Sequence, residues 1–239
     1  NASCVFGQSS FTATSSGTTA SKMDGPFLLT LDPVNHLLYV PESGNNRVLT
    51  FDVATLANNP TAVNNLGQVT ITTTYTYDGS TSLTANGINS STPIVNENGV
   101  SGASGVTMDT ENHRMFVADS GNHRILVFNL GVDNTLTDYT ADNVLGQSNF
   151  LNNSAATTAT GLSSPRGITY WHAPSGTQYL FVADIANNRV LAYDVGSITD
   201  GESAVAVIGQ TSFTANDSGA ATQINLASPA DVAVDAVNN

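Results

Sequence analysis

The chain has 239 residues but a single lysine, Lys22, and only six lysines and arginines in all, against 19 aspartates and glutamates. Nucleic acids and anionic membranes are bound through clustered Lys and Arg that neutralise phosphates, so a formal charge of −13 argues against both as partners. Cys4 is the one cysteine, which excludes an intrachain disulfide, and nothing in the sequence has the spacing of a metal-thiolate site. It is expected to be a small buried residue in a strand, with a cross-chain bridge as the alternative. No apolar run is long enough to span a bilayer, and no stretch sustains a helical period. The sequence starts at Asn1 without Met or signal-peptide pattern, so any targeting segment is expected to have been removed or to lie outside it.

What the chain does have is repetition. Tyr39-Val-Pro-Glu-Ser-Gly-Asn-Asn-Arg47, Phe116-Val-Ala-Asp-Ser-Gly-Asn-His-Arg124 and Phe181-Val-Ala-Asp-Ile-Ala-Asn-Asn-Arg189 each lead into a second apolar strand. A second phrase recurs as Gly7-Gln8, Gly67-Gln68, Gly146-Gln147 and Gly209-Gln210, with Phe11, Phe150 and Phe213 three residues beyond the Gln in three of the four. A third, headed by Gly25-Pro26, Ser104-Gly105, Ser164-Pro165 and Ser228-Pro229, precedes each hairpin. The order predicts strand a, a b–c hairpin around the Arg phrase, and strand d at the Gly-Gln phrase. Four-stranded antiparallel units in tandem predict an all-β fold, a β-propeller.

The stretch from Ala118-Asp119 through Ser-Gly-Asn-His-Arg124 is similar to the NHL repeat family of β-propellers, and the likeness extends over nearly the whole chain. The resemblance implies a propeller of six or a similar number of blades, used mostly for binding, with some lyase and lactonase relatives. Pro41-Glu42 and Ile185-Ala186 depart from the pattern, and both keep the turn plausible.

One domain is expected, divided as strand d of a preceding blade with its loop (1–24), a blade (25–71), an inserted loop (72–103), a blade (104–151), a loop (152–163), a blade (164–214), and a loop with strand a of a next blade (215–239). The expectation is three whole blades flanked by partial ones. Three and a half blades cannot close a ring, so either the chain is part of a longer array or neighbouring copies supply the missing strands.

The acids five residues before each arginine, Glu42, Asp119 and Asp184, are placed to accept from the guanidinium or the turn backbone. Their repetition in every blade is expected of a turn clamp rather than of a catalytic group. Asp32, Asp109 and Asp235 recur where strand a ends and are candidate calcium ligands; the competing expectation is that each starts its turn by bonding its own backbone. His36, His113 and His172 in a–b connections and His123 in a b–c turn lie on different units and do not form a zinc set. Sequons at Asn1, Asn89, Asn152 and Asn216 mark candidate glycosylation sites in loops.

The sequence therefore predicts a non-enzymatic extracellular or cell-surface scaffold or interaction module, a repeating subunit joined head to tail with its own copies, other proteins or glycans being further partners. The alternatives are a truncated soluble binding propeller and a propeller lyase or hydrolase with a metal in the central channel. No cofactor is expected beyond calcium.

Overall fold

A computed structural model describes residues 2–67, 100, 102–219 and 224–235. The strands form three four-stranded antiparallel sheets, each a simple meander. Blade 1 holds β1 (Thr30–Asp32), β2 (Leu37–Glu42), β3 (Arg47–Asp52) and β4 (Asn64–Leu66). In blade 2 these become β5 (Ala103–Asp109), β6 (Arg114–Asp119), β7 (Arg124–Asn129) and β8 (Asn143–Leu145). Blade 3 holds β9 (Pro165–His172), β10 (Gln178–Asp184), β11 (Arg189–Asp194) and β12 (Ala206–Ile208).

The strand sequences are nearly continuous apolar runs because an inner blade is covered on both faces. In blade 2, Met115, Val117, Leu126 and Phe128 pack toward blade 1 with Tyr39, Val48 and Leu66. The alternate residues Phe116, Ala118, Ile125 and Val127 pack toward blade 3 with Ile168, Leu180, Val182 and Leu191. Side chains alternate across a strand, so burying both sides requires hydrophobes at every position. Strands a lie side by side, with Leu28 bridging Gly105 in parallel register.

Strand a stops where an aspartate caps the turn. Asp32 accepts from the Val34 and Asn35 amides and from Asn35 Nδ2; Asp109 does the same with Glu111, Asn112 and Asn112 Nδ2. Trp171 stands in the equivalent slot of blade 3 and offers no such acceptor. There β9 runs on through His172, which belongs to the strand rather than to the connection expected for it, and the chain turns at Ala173–Thr177 around Gly176 at φ 89°.

The flanks differ from the sequence expectation. Val5–Phe11 forms bends and turns rather than strand d, and Val232–Val234 takes no strand. Short strands exist only through a ladder partner, and these segments have no neighbouring strand c or b of their own blade among the described residues. Cys4 is correspondingly half-buried and outside any strand. Most of the 72–103 insertion, with Gln68, Asn89 and Asn1, lies outside the described residues.

Candidate interaction interface

The repeated arginines are among the most deeply buried side chains of the protein. Arg47, Arg124 and Arg189 are each 0% exposed, as are Glu42, Asp119 and Asp184. Arg124 Nε donates to Asp119 at 2.6 Å and Arg189 Nε to Asp184 at 2.8 Å; Arg47 pairs with Glu42 in the same way. The acid is a hub. Asn45, Asn122 and Asn187, three residues after it, donate their Nδ2 to it, and the Asp24 and Ser163 amides ahead of strand a donate to Glu42 and Asp184. Burial pushes the Glu42 and Asp184 carboxyls up, against the pull of the arginine and asparagine.

The remaining guanidinium donors reach out of the blade. Arg189 bonds the carbonyls of Thr158 and Gly161 in the loop before its blade and of Phe213 in the loop after it. Arg47 bonds Thr18, Thr19 and Lys22, and Arg124 bonds Phe150 at 2.7 Å. A planar five-donor fork can serve one acid and several carbonyls at once, which the ammonium of Lys cannot. The recurrent phenylalanine after Gly-Gln thus matters through its backbone oxygen as well as its ring.

The Gly-Gln phrase locks strand d to the b–c turn. Gln147 Nε2 donates to His123 O at 3.0 Å and Ser154 O at 2.9 Å; Gln210 Nε2 donates to Asn188 O at 2.9 Å and Asp217 O at 2.8 Å. Gln8 makes the equivalent bond to Ser15 O at 3.1 Å. The glycines sit at φ 74–91°, and an added Cβ at Gly7, Gly67, Gly146 or Gly209 would meet Met23, Val100, Leu162 or Leu226. The slot needs glycine both for its backbone and for the apolar side chain packed on it.

A further repeat escapes the phrases read from sequence. Asn46, His123 and Asn188 hold φ of 53–55°, a conformation that favours Asn. Each turns its side chain to the next blade and accepts a backbone N–H there: Gly102 on Asn46 at 2.8 Å, Ser164 on His123 Nδ1 at 3.0 Å, Ser228 on Asn188 at 2.9 Å. Accepting through Nδ1 requires a neutral ring, and burial holds the His123 pKa below its ordinary value. The Asn/His-Arg doublets were visible; what the residue before Arg touches was not.

On the side of blade 2 that meets blade 3, another buried ion pair appears that the sequence reading missed, because it occurs in one blade only. Arg114 bonds Asp109, Gln178 Oε1 and Val195 O. Burial raises the Asp109 carboxyl, but the bonds from Arg114 and Asn112 outweigh it and hold it below the usual range. Of the candidate calcium ligands, Asp32 and Asp109 are buried in their own turns and Asp235 is exposed in the 224–235 segment; among the described residues no group of three or more His, Cys, Asp or Glu is placed to hold a metal. Asn152 and Asn216 lie exposed in equivalent loops after strand d.

Four-stranded blades stacked face to face, with strands a adjacent, define a β-propeller architecture. Residues 101–128 match the NHL repeat. No curated protein matches the chain in sequence. Among solved structures it is similar to hydrazine synthase of Kuenenia stuttgartiensis, with 12% identity, 80% of this chain and 37% of that one covered, and a TM-score of 0.44. It is also similar to a proposed 6-phosphogluconolactonase of Bacteroides uniformis, with 16% identity, 77% and 42% coverage and a TM-score of 0.43. The β-propeller domain of Cps50 (Swd1) of Myceliophteria thermophila gives 12% identity, 77% and 43% coverage and a TM-score of 0.38. The chain thus spans less than half the length of these structures.

Proposed function

We propose that this chain is a non-enzymatic scaffold or interaction module of the β-propeller class, working outside the cell and joined head to tail with copies of itself. One observation carries the reading: the contact between blades is assembled from parts that every blade repeats, and blade 3 already presents its half of the next contact, with Ser228 on Asn188. The repeated polar side chains are engaged in turns and inter-blade bonds rather than gathered at one mouth of a channel. Exposed Leu29 and Leu31 on blade 1, at 58% and 53%, give that end an apolar face of the kind that associates. The abundance of Asn, Thr and Ser with a single lysine, and the exposed sequons at Asn152 and Asn216, support an extracellular setting.

The test is negative-stain imaging of native material alongside its denatured mass. Filaments are the expected result: constituent chains near 24.7 kDa would mean a non-covalent polymer, and much heavier chains a covalent array. Discrete particles of one chain would overturn self-assembly and return the protein to the soluble binding propellers.

A further inference from the structure

Four of the five arginines are buried against an acid, and Arg166 is the exception. Among the described residues its guanidinium bonds neither a carboxylate nor a carbonyl. What it meets is a ring: Arg166 Cζ lies 5.2 Å from the centroid of Phe27, two blades along. The register puts the pair there. Thr30, Thr107 and Thr169 stand opposite Tyr39, Phe116 and Phe181, so Phe27, Ser104 and Arg166 fill one slot three residues earlier. Ala230 follows Pro229 as Arg166 follows Pro165 and is the fourth occupant.

The slot is a bulge in strand a. Between the pairs Pro165↔Asp184 and Ile168↔Val182, Arg166 and Gly167 stand opposite Ala183 alone; Ser104 is the extra residue between Ala103↔Asp119 and Gly105↔Ala118. A bulge re-aims its side chain, and strand a is the inner strand that lines a propeller's central channel. Between the two partners the occupant is small. Ser104 is buried with its hydroxyl on Ser120 Oγ and Pro165 O, which leaves the arginine room to reach over blade 2 to the phenyl ring. Both neighbours of Arg166 along the ring of inner strands are described. On one side its carbonyl faces Gly105, and on the other Gly167 N donates to Ala230 O. Asp231 lies against Gly167 and accepts from the Val232 amide, without an ion pair to Arg166.

We propose that Arg166 and Phe27 form a binding site for a carboxylate at this mouth of the channel. Stacking uses the face of the guanidinium and leaves its in-plane N–H donors for an acceptor. The ring also holds the side chain in place, so less rotamer freedom is lost when a ligand binds. A carboxylate meets the fork with two parallel bonds and cancels a charge that no acid of the protein cancels. Phosphate fits less well, because its higher charge calls for further cations: the other four arginines are committed to acids and Lys22 to Ser15 Oγ. The exposed acids Asp52, Asp133, Asp138, Asp142, Asp194 and Asp200 stand at the ends of strands c and in the c–d connections, the opposite edge of the blades. Strands of six residues set the two edges about 20 Å apart. That is roughly twice the Debye length of about 10 Å at 0.1 M salt, so the negative charge of the chain is screened at the site.

Benzoate is the probe, followed by saturation-transfer NMR on the full chain, a readout that works for monomer and assembly alike. Saturation of benzoate is expected, and none of benzamide, which has the same shape without the charge. Arg166→Gln should remove the benzoate signal. Arg166→Lys keeps the charge without the fork, and Phe27→Leu keeps an apolar side chain without the ring face, so each should weaken binding several-fold; unfolding midpoints near that of the native chain show that the variants fold. A short peptide ending in Phe, as free acid and as C-terminal amide, separates the sources of the carboxylate. Displacement of benzoate by the acid form alone assigns the site to the C-terminus of a protein partner, and displacement by neither form assigns it to a free small acid. Displacement by both forms, equal signals for benzoate and benzamide, or a benzoate signal unchanged in Arg166→Gln would overturn the site and leave the pair as a staple between blades.

Discussion

Arg189 and Asp184 lie five residues apart in sequence and meet at 2.8 Å across a one-turn 3-10 segment, both fully buried. The pair closes its own hairpin, but its energetic meaning is wider, because the same guanidinium holds carbonyls on the loops before and after the blade. Loss of either partner leaves an uncompensated charge at the point where three segments converge.

Arg189→Ala and Arg124→Ala should therefore each lower stability by about 3–5 kcal/mol. Lysine should fail to rescue either, having a charge but no fork. Urea unfolding followed by tyrosine and tryptophan fluorescence reads both effects.

His123 makes the blade 2–3 latch sensitive to acid. Its folded pKa is depressed below 6.5, so the unfolded chain takes up the proton first, and the latch's contribution is full above 6.5 and lost as pH falls through the folded value. Asparagine fills the same slot at positions 46 and 188. His123→Asn should match the native chain at neutral pH and surpass it at pH about 5, as measured by thermal unfolding across the pH range.

The Asp109 carboxyl is likewise held below its ordinary value, by its bonds from Arg114 and Asn112. Its folded pKa lies below 3.8, so the stability it supplies is present above that value and disappears as pH falls through the folded one. The stability gap between the native chain and Asp109→Asn should be widest at neutral pH and close in strong acid; a gap independent of pH would contradict the Arg114 pairing.

At Gly146, φ is 83° and an added Cβ would stand 2.4 Å from Leu162 Cδ1. Gly146→Ala should cost about 2–4 kcal/mol, from backbone strain plus overpacking. Gly176 has a similar φ of 89° with nothing within 4 Å, so Gly176→Ala should show the backbone cost alone, roughly 1 kcal/mol. Comparing their unfolding midpoints separates the two effects.

Since the Asp32 and Asp109 carboxylates are taken up by their own turns, chelation of divalent cations should leave the unfolding temperature within about 1 °C. A larger drop by calorimetry would support calcium binding.

The blade order, the buried Arg-acid pairs and the Gly-Gln phrases were legible in the sequence because each depends on contacts a few residues apart and recurs with a fixed spacing. The asparagines at 45, 122 and 187 were in view as part of the Arg phrase, but their role in feeding the acid needed the turn geometry. What only the tertiary structure decided concerns contacts between blades: which carbonyls the guanidinium reaches, that the residue before Arg latches the next blade, and that Arg114, beside its local partner Asp109, reaches Gln178 and Val195 of blade 3. Those partners lie up to 81 residues apart, as for Arg114 and Val195, and no local pattern specifies them. The flanking segments show the same limit in reverse. Val5–Phe11 carries a strand's sequence and forms no strand, because a strand is a property of the pair, and no strand c of its own blade lies among the described residues.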